Sequence, residues 1–339
     1  MLNLRVAVLA VPTLLVSCSR PAAGVAVGEV QILASPDCEW SEEKGMNEMA
    51  SALQRFAQID LVYGHNDPQA HGAWLAAQRA GRKGVRFLGI DALPHEGVQY
   101  VRQGILDATF QYPTGGAEAV DLALLAVAGK KLPREVILGS RLFTKDNLER
   151  NGEELPAPGA RLMAELRAGH GDALRPDPGR AGAVRIGMSQ CNLGEPWRQQ
   201  MNEDIKAAAA RYPQIQLTLR DAQNDPDRQR AQIDEFVAGK VDCLLVSPKE
   251  TKALTPPVAR AFQAGIPVIV IDRKVEGDQF TTFLGPDNRM VGEAAGRYAW
   301  KLLGGRGKVV ELRGLMTSTP AQDRNAGFLD GLRAAQAGR

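Results

Sequence analysis

The sequence alternates short apolar runs with amphipathic segments, and this alternation constrains the fold more than any other feature. The clearest run is Val268–Ile271, which Gly265 and Pro267 introduce and which Asp272 and Arg273 follow directly. Unbroken β-branched runs of this length are typical of parallel strands that are buried on both faces. Because strands and helices alternate along the chain, the sequence predicts an α/β protein with doubly wound parallel sheets.

Asp272 and Arg273 stand where this predicted strand leaves its sheet. In open parallel sheets, ligands bind in the crevice beyond the carboxyl ends of the strands. A carboxylate accepts hydrogen bonds from paired hydroxyls, and a guanidinium donates a planar fork. The pair therefore suits a polyhydroxylated small molecule. A salt bridge at a strand end is the alternative interpretation.

Composition narrows the class of protein. A chain of 339 residues predicts two domains, and a net charge of +2 argues against a nucleic-acid partner. The sequence has no G-x-S-x-G, H-E-x-x-H or P-loop motif, so it offers no familiar catalytic centre. We expect no metal and no cofactor, and we expect the histidines, whose spacing suits no metal, at the surface or in loops: His65, His71, His95 and His170.

The first 18 residues are expected to be a signal peptide rather than part of the fold. Residues 1–5 are weakly basic, and the apolar run 6–16 is too short for a membrane-spanning helix. The ending LVSC at residues 15–18 resembles a bacterial lipoprotein signal, in which Cys18 would carry the lipid. A plain signal peptide that is cleaved nearby is the alternative. Both interpretations predict an exported protein.

Three cysteines remain besides Cys18, an odd number. Cys38, Cys191 and Cys243 have no metal-like spacing, and Cys243 lies in a predicted strand and is expected in the core. Cys38 and Cys191 each follow a predicted strand and could face each other across a cleft. The sequence leaves a disulfide between them open.

Local amino-acid composition divides the chain into segments. Residues 147–183 are rich in Pro, Gly, Ala and charge and are predicted to be a linker with one short helix near 161–168. The predicted organisation is a signal peptide at 1–18, a tether at 19–29, a first structured segment at 30–146, the linker at 147–183 and a second structured segment at 184–339.

Two stretches of motifs carry a family resemblance. Residues 184–332 contain VRIGMSQ, GEPWR, VDCLLVSP, IPVIVIDR, GPDN, VVELRG and DRNAGFLDGL. They resemble the first half of a type I periplasmic sugar-binding protein of the ribose/galactose family, and GEPWR and DRNAGF are closest to galactofuranose-type members. Residues 30–147 contain QILASPDCEW, IDLVYGHND, VRFLGID and ATFQYP, and they resemble the second half.

The two halves stand in the reverse of the family's order, so the chain resembles a circularly permuted member. Permutation is tolerated where the new ends lie in exposed loops. A dimer whose chains exchange halves is the alternative.

The resemblance implies two α/β lobes joined by three crossings, with Asp287 and Asn288 at one hinge crossing. It assigns residues 184–285 and 114–129 to lobe one, and residues 30–112, 288–336 and the strand 134–138 to lobe two.

It also implies a sugar site between the lobes. Asn66, Asp91 and Gln111 each follow a predicted strand, which supports them independently. An aromatic face suits the C–H patch of a sugar ring. Trp197 could instead be a core residue, and Arg324 could pair with Asp323. The implied ligand-binding residues are Gln190, Trp197, Arg198, Asp272 and Arg273 in lobe one and Trp40, Asn66, Asp91, Gln111 and Arg324 in lobe two, with Asp67, Gln322 and Tyr112 as further candidates.

The implied function is not catalytic. The resemblance predicts a lipid-anchored solute-binding protein of the periplasm or cell envelope that binds a monosaccharide and delivers it to the permease of an ABC importer. A sensor kinase or chemoreceptor is an alternative partner. The alternatives of other classes are an α/β enzyme acting on a sugar and a transcription regulator, and the latter would need an N-terminal helix-turn-helix.

Overall fold

The alternating elements form two separate sheets. The computed structural model describes residues 25–157, 159, 161–175 and 182–338. The predicted signal peptide with Cys18, most of the tether and Arg339 lie outside the described residues. The α/β class with parallel sheets, predicted from the sequence, is confirmed.

The first sheet has six strands in the described part of the chain, and all its neighbours are parallel. Numbered along the chain and given in spatial order, they are Ile215–Asp221 (β10), Val184–Gln190 (β9), Cys243–Ser247 (β11), Val268–Ile271 (β12), Thr282–Pro286 (β13) and Glu135–Leu138 (β6).

The second sheet has eight described strands, with a parallel centre and antiparallel edges. In spatial order they are Ala26–Val27 (β1), Glu29–Ala34 (β2), Arg306–Leu312 (β14), Leu61–Gly64 (β3), Arg86–Asp91 (β4), Ala108–Gln111 (β5), Arg141–Thr144 (β7) and Glu153–Glu154 (β8).

Ten helices cover the faces of the two sheets within the described residues. Several begin at a side-chain cap: Ser41, Asn66 and Asp287 each accept a hydrogen bond from a backbone N–H in the first turn. None of these helices combines the length and apolarity needed to cross a bilayer. They are Glu42–Arg55 (α1), Asp67–Arg79 (α2), Gly97–Arg102 (α3), Gly116–Val127 (α4), Leu162–Gly169 (α5), Pro196–Ala209 (α6), Pro226–Ala238 (α7), Thr251–Gln263 (α8), Asn288–Leu303 (α9) and Thr319–Ala337 (α10), with short 3-10 helices at Leu148–Arg150 and Gly171–Leu174.

We call the body around the six-stranded sheet lobe one and the body around the eight-stranded sheet lobe two. Three short crossings join them: β5 leads through Tyr112 to α4, β6 leads to β7, and β13 leads through Asp287 to α9. The assignment of the strand 134–138 to lobe two is wrong. It is β6, which pairs with β13 in lobe one through Val136 and Leu284. An apolar run shows that a strand exists, but it does not show which neighbour the strand will pair with.

The segment predicted to be a linker contains the short helix expected near residues 161–168, which is α5. This helix lies against lobe one. Met163 is buried in the core, and Arg167 Nε donates to Asp121 Oδ2 at 2.7 Å, with Glu118 of α4 also within ion-pair distance.

The three described cysteines are buried free thiols. Cys38 and Cys191 therefore form no disulfide in this structure. Cys243 lies in β11 and in the core, as predicted.

Candidate functional site

A cleft between the lobes collects the polar strand ends of both sheets. The space between protein atoms there is about 280 Å³, which includes solvent at the open mouth of the cleft. The lining residues are Trp40, Asn66, Asp91, Tyr112, Glu195, Trp197, Arg198, Asp272, Arg273, Pro320 and Arg324.

Eight of the ten residues predicted to bind a ligand line this cleft. Gln190 and Gln111 do not. Gln190 is fully buried, and its amide bonds to Asn202 and to the backbone of Cys191. Gln111 is half-buried at the end of β5, outside the lining.

Of the further candidates, Tyr112 lines the cleft. Asp67 is buried outside the lining, where Thr109 and the backbone of Ala92 donate to its carboxylate. Gln322 is exposed and donates to Met316 O.

Asp272 is the centre of the lobe-one wall. Its carboxylate accepts from Arg198 Nη2 at 2.5 Å and from Tyr112 Oη at 2.8 Å, and Arg273 Nε lies 3.6 Å away. Burial alone would raise the pKa of Asp272, but Arg198, Arg273 and the Tyr112 hydrogen bond hold it below its usual range. Asp272 is therefore a fixed anion.

The two guanidiniums beside Asp272 are themselves held in place. Arg198 Nη1 donates to Ser247 Oγ at 2.7 Å, and Arg273 Nη1 donates to Lys249 O at 2.9 Å. In each case the Nε nitrogen is buried and has no hydrogen-bond partner among the described residues. Each Nε nonetheless lies within ion-pair distance of a carboxylate, Glu195 for Arg198 and Asp272 for Arg273, and retains the capacity to donate a hydrogen bond.

Trp197 and Trp40 provide aromatic surface in the two lobes. Trp197 Nε1 donates to Tyr112 O at 2.6 Å, which fixes the indole beside the Tyr112 ring. Trp40 lies between the guanidiniums of Arg273 and Arg324, whose Cζ atoms are 5.9 and 5.2 Å from its ring. Its buried Nε1 donates to no described residue.

Asp91 is the acidic group of lobe two. It is buried, and its carboxylate accepts no hydrogen bond from any described residue. Burial raises the pKa of Asp91, nearby Arg324 opposes that rise, and Asp67, Glu96 and Glu195 add to it. A carboxyl group in this environment either retains its own proton or accepts hydrogen bonds from the hydroxyl or amine of a bound molecule.

Asn66 and Arg324 are oriented by their own chain. Asn66 Nδ2 donates to Trp40 O at 3.0 Å, while its oxygen caps α2. Arg324 donates from Nε to Asn288 Oδ1 at 2.9 Å and from Nη1 to His65 O. Both side chains face the cleft with limited freedom.

The crossings contribute directly to the site. Tyr112 Oη donates to Asp272 of lobe one and accepts from Asn288 Nδ2 at 3.0 Å. Asn288 in turn accepts from Arg324 of lobe two, and its neighbour Asp287 caps α9 through Met290 N. A hydrogen-bonded chain thus connects both lobes through two crossings.

Sequence reasoning missed Glu195 and Pro320 in the lining. Glu195 precedes α6 in the motif GEPWR, and Asn192 Nδ2 donates to its Oε1 at 3.1 Å while Oε2 lies 3.7 Å from Arg198 Nε. Its place in that motif, two positions before Trp197, was the available signal.

The lining of the cleft consists mainly of charged, polar and aromatic side chains. No cysteine, serine or histidine is among the residues that line the cleft. The described residues also contain no cluster of three or more His, Cys, Asp or Glu side chains able to hold a metal. The cleft is lined by the carboxyl group of Asp91, by the indoles of Trp40 and Trp197, and by Arg198 and Arg273, whose Nε atoms make no hydrogen bond to a described residue.

A family model described as a periplasmic binding protein domain matches residues 22–131 and 186–338. A ribose import binding protein of Bacillus subtilis is 31% identical over 143 residues, which are 42% of this chain and 47% of that protein. A galactofuranose-binding protein of Escherichia coli is 28% identical, over 46% of this chain and 50% of that protein. The chain spans about half the length of the curated relatives it matches.

Among solved structures, the fructose-binding periplasmic domain of a hybrid two-component system is 38% identical. The match covers 44% of this chain and 50% of that one, with a TM-score of 0.43.

Proposed function

This chain belongs to the periplasmic binding protein family, and we propose that it binds a monosaccharide in the cleft between its lobes without transforming it. The observation that carries the proposal is the Asp91 carboxyl group, which lines the same small cavity as Arg198 and Arg273, whose buried Nε atoms make no hydrogen bond to a described residue. Sugar hydroxyls both donate and accept hydrogen bonds, so one ring can satisfy all three groups. The indoles of Trp40 and Trp197 provide apolar surface for its C–H groups.

The proposed role is delivery of the sugar to the permease of an ABC importer. The ribose and galactofuranose relatives support this role by similarity. A ligand shifts an open–closed equilibrium only by its preference for one state. In this cleft the preference would come from groups of both lobes that a single ring contacts together.

We also propose that the protein is exported and anchored by lipid on Cys18. The support is the sequence of residues 1–18 alone. Mass spectrometry of the membrane fraction would find acyl groups on an N-terminal Cys18 peptide. An intact residue 1–18 segment in the mature protein would contradict the proposal.

The chain order is proposed to be a circular permutation of the family order. The described ends of the chain support it, because a Cβ added at Gly28 would lie 3.0 Å from Gln336 Nε2.

The first test of sugar binding is a thermal-shift screen of the protein with ribose, galactose, arabinose, xylose and fructose. A ligand at one hundred times its dissociation constant stabilises the folded state by about 2.7 kcal/mol. We expect at least one monosaccharide to raise the melting temperature, whereas amino acids and phosphate do not. No shift with any sugar would count against the proposal.

Asp91→Asn is the sharpest variant for locating the bound sugar. The amide keeps the shape of the carboxylate and breaks no hydrogen bond to a described residue, so we expect unchanged or higher stability. Loss of charge-assisted hydrogen bonds of about 1.5–3 kcal/mol should weaken binding roughly 10- to 100-fold. The matched control is Asp278→Asn, an exposed acid of lobe one. Equal affinity of the two variants for the sugar would show that the sugar does not bind in this cleft.

A further inference from the structure

A buried histidine–glutamate pair lies behind the lobe-two wall of the cleft. His65 Nε2 is 2.9 Å from Glu311 Oε1, and the side chains are 0% and 1% exposed. Neither residue lines the cleft. Their effect on a ligand must therefore pass through other groups.

The hydrogen bonds define the protonation state of this pair. The backbone N–H of Gly314 donates to His65 Nδ1 at 3.2 Å, so Nδ1 is an acceptor and the ring proton is on Nε2. That proton is donated to Glu311, whose carboxylate also accepts from Ser35 Oγ and Asn325 Nδ2. Burial lowers the pKa of His65 and opposes the effect of Glu311, which keeps the ring neutral.

Two ligand-facing groups lie beside His65, one bonded to its backbone carbonyl and one reached through its ring. The carbonyl oxygen of His65 accepts from Arg324 Nη1, and Arg324 lines the cleft. The Gly314 backbone that bonds to the ring lies directly against Trp40, where a Cβ on Gly314 would overlap the indole. The His65 ring itself is 6.4 Å from the Trp40 ring. One buried pair thus supports both the cation and the indole of lobe two.

Stability alone does not account for a polar pair at this position. Burying charged or polar partners costs desolvation, and apolar side chains of similar volume are often as stabilising or more so. What apolar side chains lack is direction: they cannot hold the Gly314 N–H and, through it, the loop that packs on Trp40.

We propose that Glu311 and His65 are positioning residues for the ligand, which set the orientation of Trp40 and Arg324 through the Gly314 backbone and the His65 carbonyl. This inference rests on the proposed function, since it assigns the two residues to the same cleft.

The test replaces both partners together, so that neither ionisable partner stays buried without the other. The double variant still removes the acceptors of Gly314 N–H, Ser35 and Asn325. His65→Phe/Glu311→Leu removes the pair and keeps its volume. The matched control is His71→Phe/Glu42→Leu, a second histidine–glutamate pair of lobe two that has the same 2.9 Å distance but lies away from the cleft. Glu311→Gln is the conservative variant, since its amide oxygen still accepts from His65 Nε2.

Two readouts separate positioning from mere folding. The first is the affinity for the monosaccharide that gives the largest shift in the screen. We expect a loss of tenfold or more in the His65/Glu311 double variant, a smaller loss in Glu311→Gln, and a change within twofold in the control. Equal affinity of the two double variants would overturn the proposal.

The second readout needs no sugar. In a spectrum of the indole N–H groups, the Trp40 signal is assigned with Trp40→Phe. We expect it to move in the His65/Glu311 double variant while the signals of Trp74 and Trp300 stay in place. An unmoved Trp40 signal in a folded variant would overturn the proposal. A moved signal together with no sugar binding by the unaltered protein would leave the positioning role supported and the proposed function contradicted.

Discussion

Three residues of the cleft have backbone angles that non-glycine residues rarely adopt. Trp40, Asp91 and Asp272 have φ values of 70°, 127° and 69°. Such conformations cost on the order of 1–3 kcal/mol each and persist only where the surrounding structure enforces them. Each turns a side chain into the cleft at the end of a sheet. Positions that turn polar and aromatic side chains into the cleft therefore coincide with positions of backbone strain.

Glu96 provides a prediction on pH and stability at the residue scale. Burial raises the pKa of Glu96 from 4.5 to about 7, with Glu42 adding to the rise. The folded chain then retains a proton that the unfolded chain releases, so the stability due to this group is present below pH 4.5 and is lost as the pH rises through 7. Glu96→Gln, which carries no charge, should be more stable than the unaltered protein at pH 8 by about 1–2 kcal/mol, allowing for partial exposure.

Urea unfolding at pH 4 and pH 8 would measure this difference. The two proteins should have similar midpoints at pH 4, and the variant should unfold at higher urea at pH 8. Glu149→Gln is a suitable control, because this glutamate is 81% exposed and forms a surface ion pair with Arg102. A variant that loses stability at pH 8 would show that Glu96 is stabilised as an anion.

Single residues were predictable where a strand end fixed them. Asn66, Asp91 and Asp272 follow apolar runs, and the rule for parallel sheets was enough to bring them together. The rule could not say that Gln190, also at a strand end, turns away to bond Asn202. Nor could it show that His65, expected at the surface or in a loop, lies in the bend after β3 but is fully buried. These outcomes depend on neighbours far away in the chain.

At the scale of elements, α9 and α10 pack at unusually short range. A Cβ at Gly292 would lie 2.5 Å from Arg324 O, and one at Gly296 would overlap the carbonyl oxygen of Phe328. Gly327 and Gly331 of α10 meet the backbone of α9 in the same way. Arg324 is the cationic side chain that α10 contributes to the cleft lining. The close packing of α9 and α10 therefore also sets the distance between α10 and the cleft.

Gly296→Ala should therefore be strongly destabilising, although alanine favours a helix intrinsically. The added methyl group has backbone rather than a flexible side chain in front of it, so the helices must separate at a cost of about 2–3 kcal/mol. Gly169→Ala is the matched control, because this helical glycine of α5 has open space around its Cβ position. We expect it to be neutral or stabilising by up to about 1 kcal/mol.

Thermal unfolding of both glycine variants would give the comparison. Equal melting temperatures would mean that α9 and α10 are less tightly packed in solution than in this structure. A destabilised but folded Gly296→Ala should also bind sugar less tightly, because Arg324 moves with α10.

The type of each element was easier to predict than the strand with which it pairs. Apolar runs predicted the six strands of lobe one and the five parallel strands of lobe two, and the short helix in the linker was predicted as well. The antiparallel strands β1, β7 and β8 were missed, because each is short and carries little apolar pattern. The strand that became β6 was assigned to the wrong lobe, since its sequence, EVIL, suits any buried position in either sheet. Pairing is decided by the route of the crossings, which local sequence does not encode.

At the scale of the whole molecule, segments that are adjacent in space are often far apart in the sequence, because the chain passes from lobe two to lobe one and back. The β1–β2 hairpin begins lobe two and α10 completes it, and the two meet where Gly28 lies beside Gln336. The segment from β8 to β9 instead joins lobe two to lobe one over a long distance in sequence, and in its described part α5 is held to α4 by Arg167. The fold therefore depends on which surfaces meet and only weakly on where the chain is continuous.

This dependence leads to a prediction about rearranged chains. Joining residue 338 to residue 26 by a short glycine–serine linker and opening the chain between residues 175 and 182 would restore the proposed family order. Because loop-closure entropy changes slowly with loop length, the rearranged protein should fold as a monomer with a stability within a few kcal/mol of the original. Its affinity for the monosaccharide found in the screen should be unchanged, since no residue of the cleft is altered. Light scattering and calorimetry would check both. The original chain could instead prove dimeric and the rearranged one monomeric, with equal affinity for the sugar. That result would contradict permutation within one chain and indicate a dimer whose two chains exchange lobes.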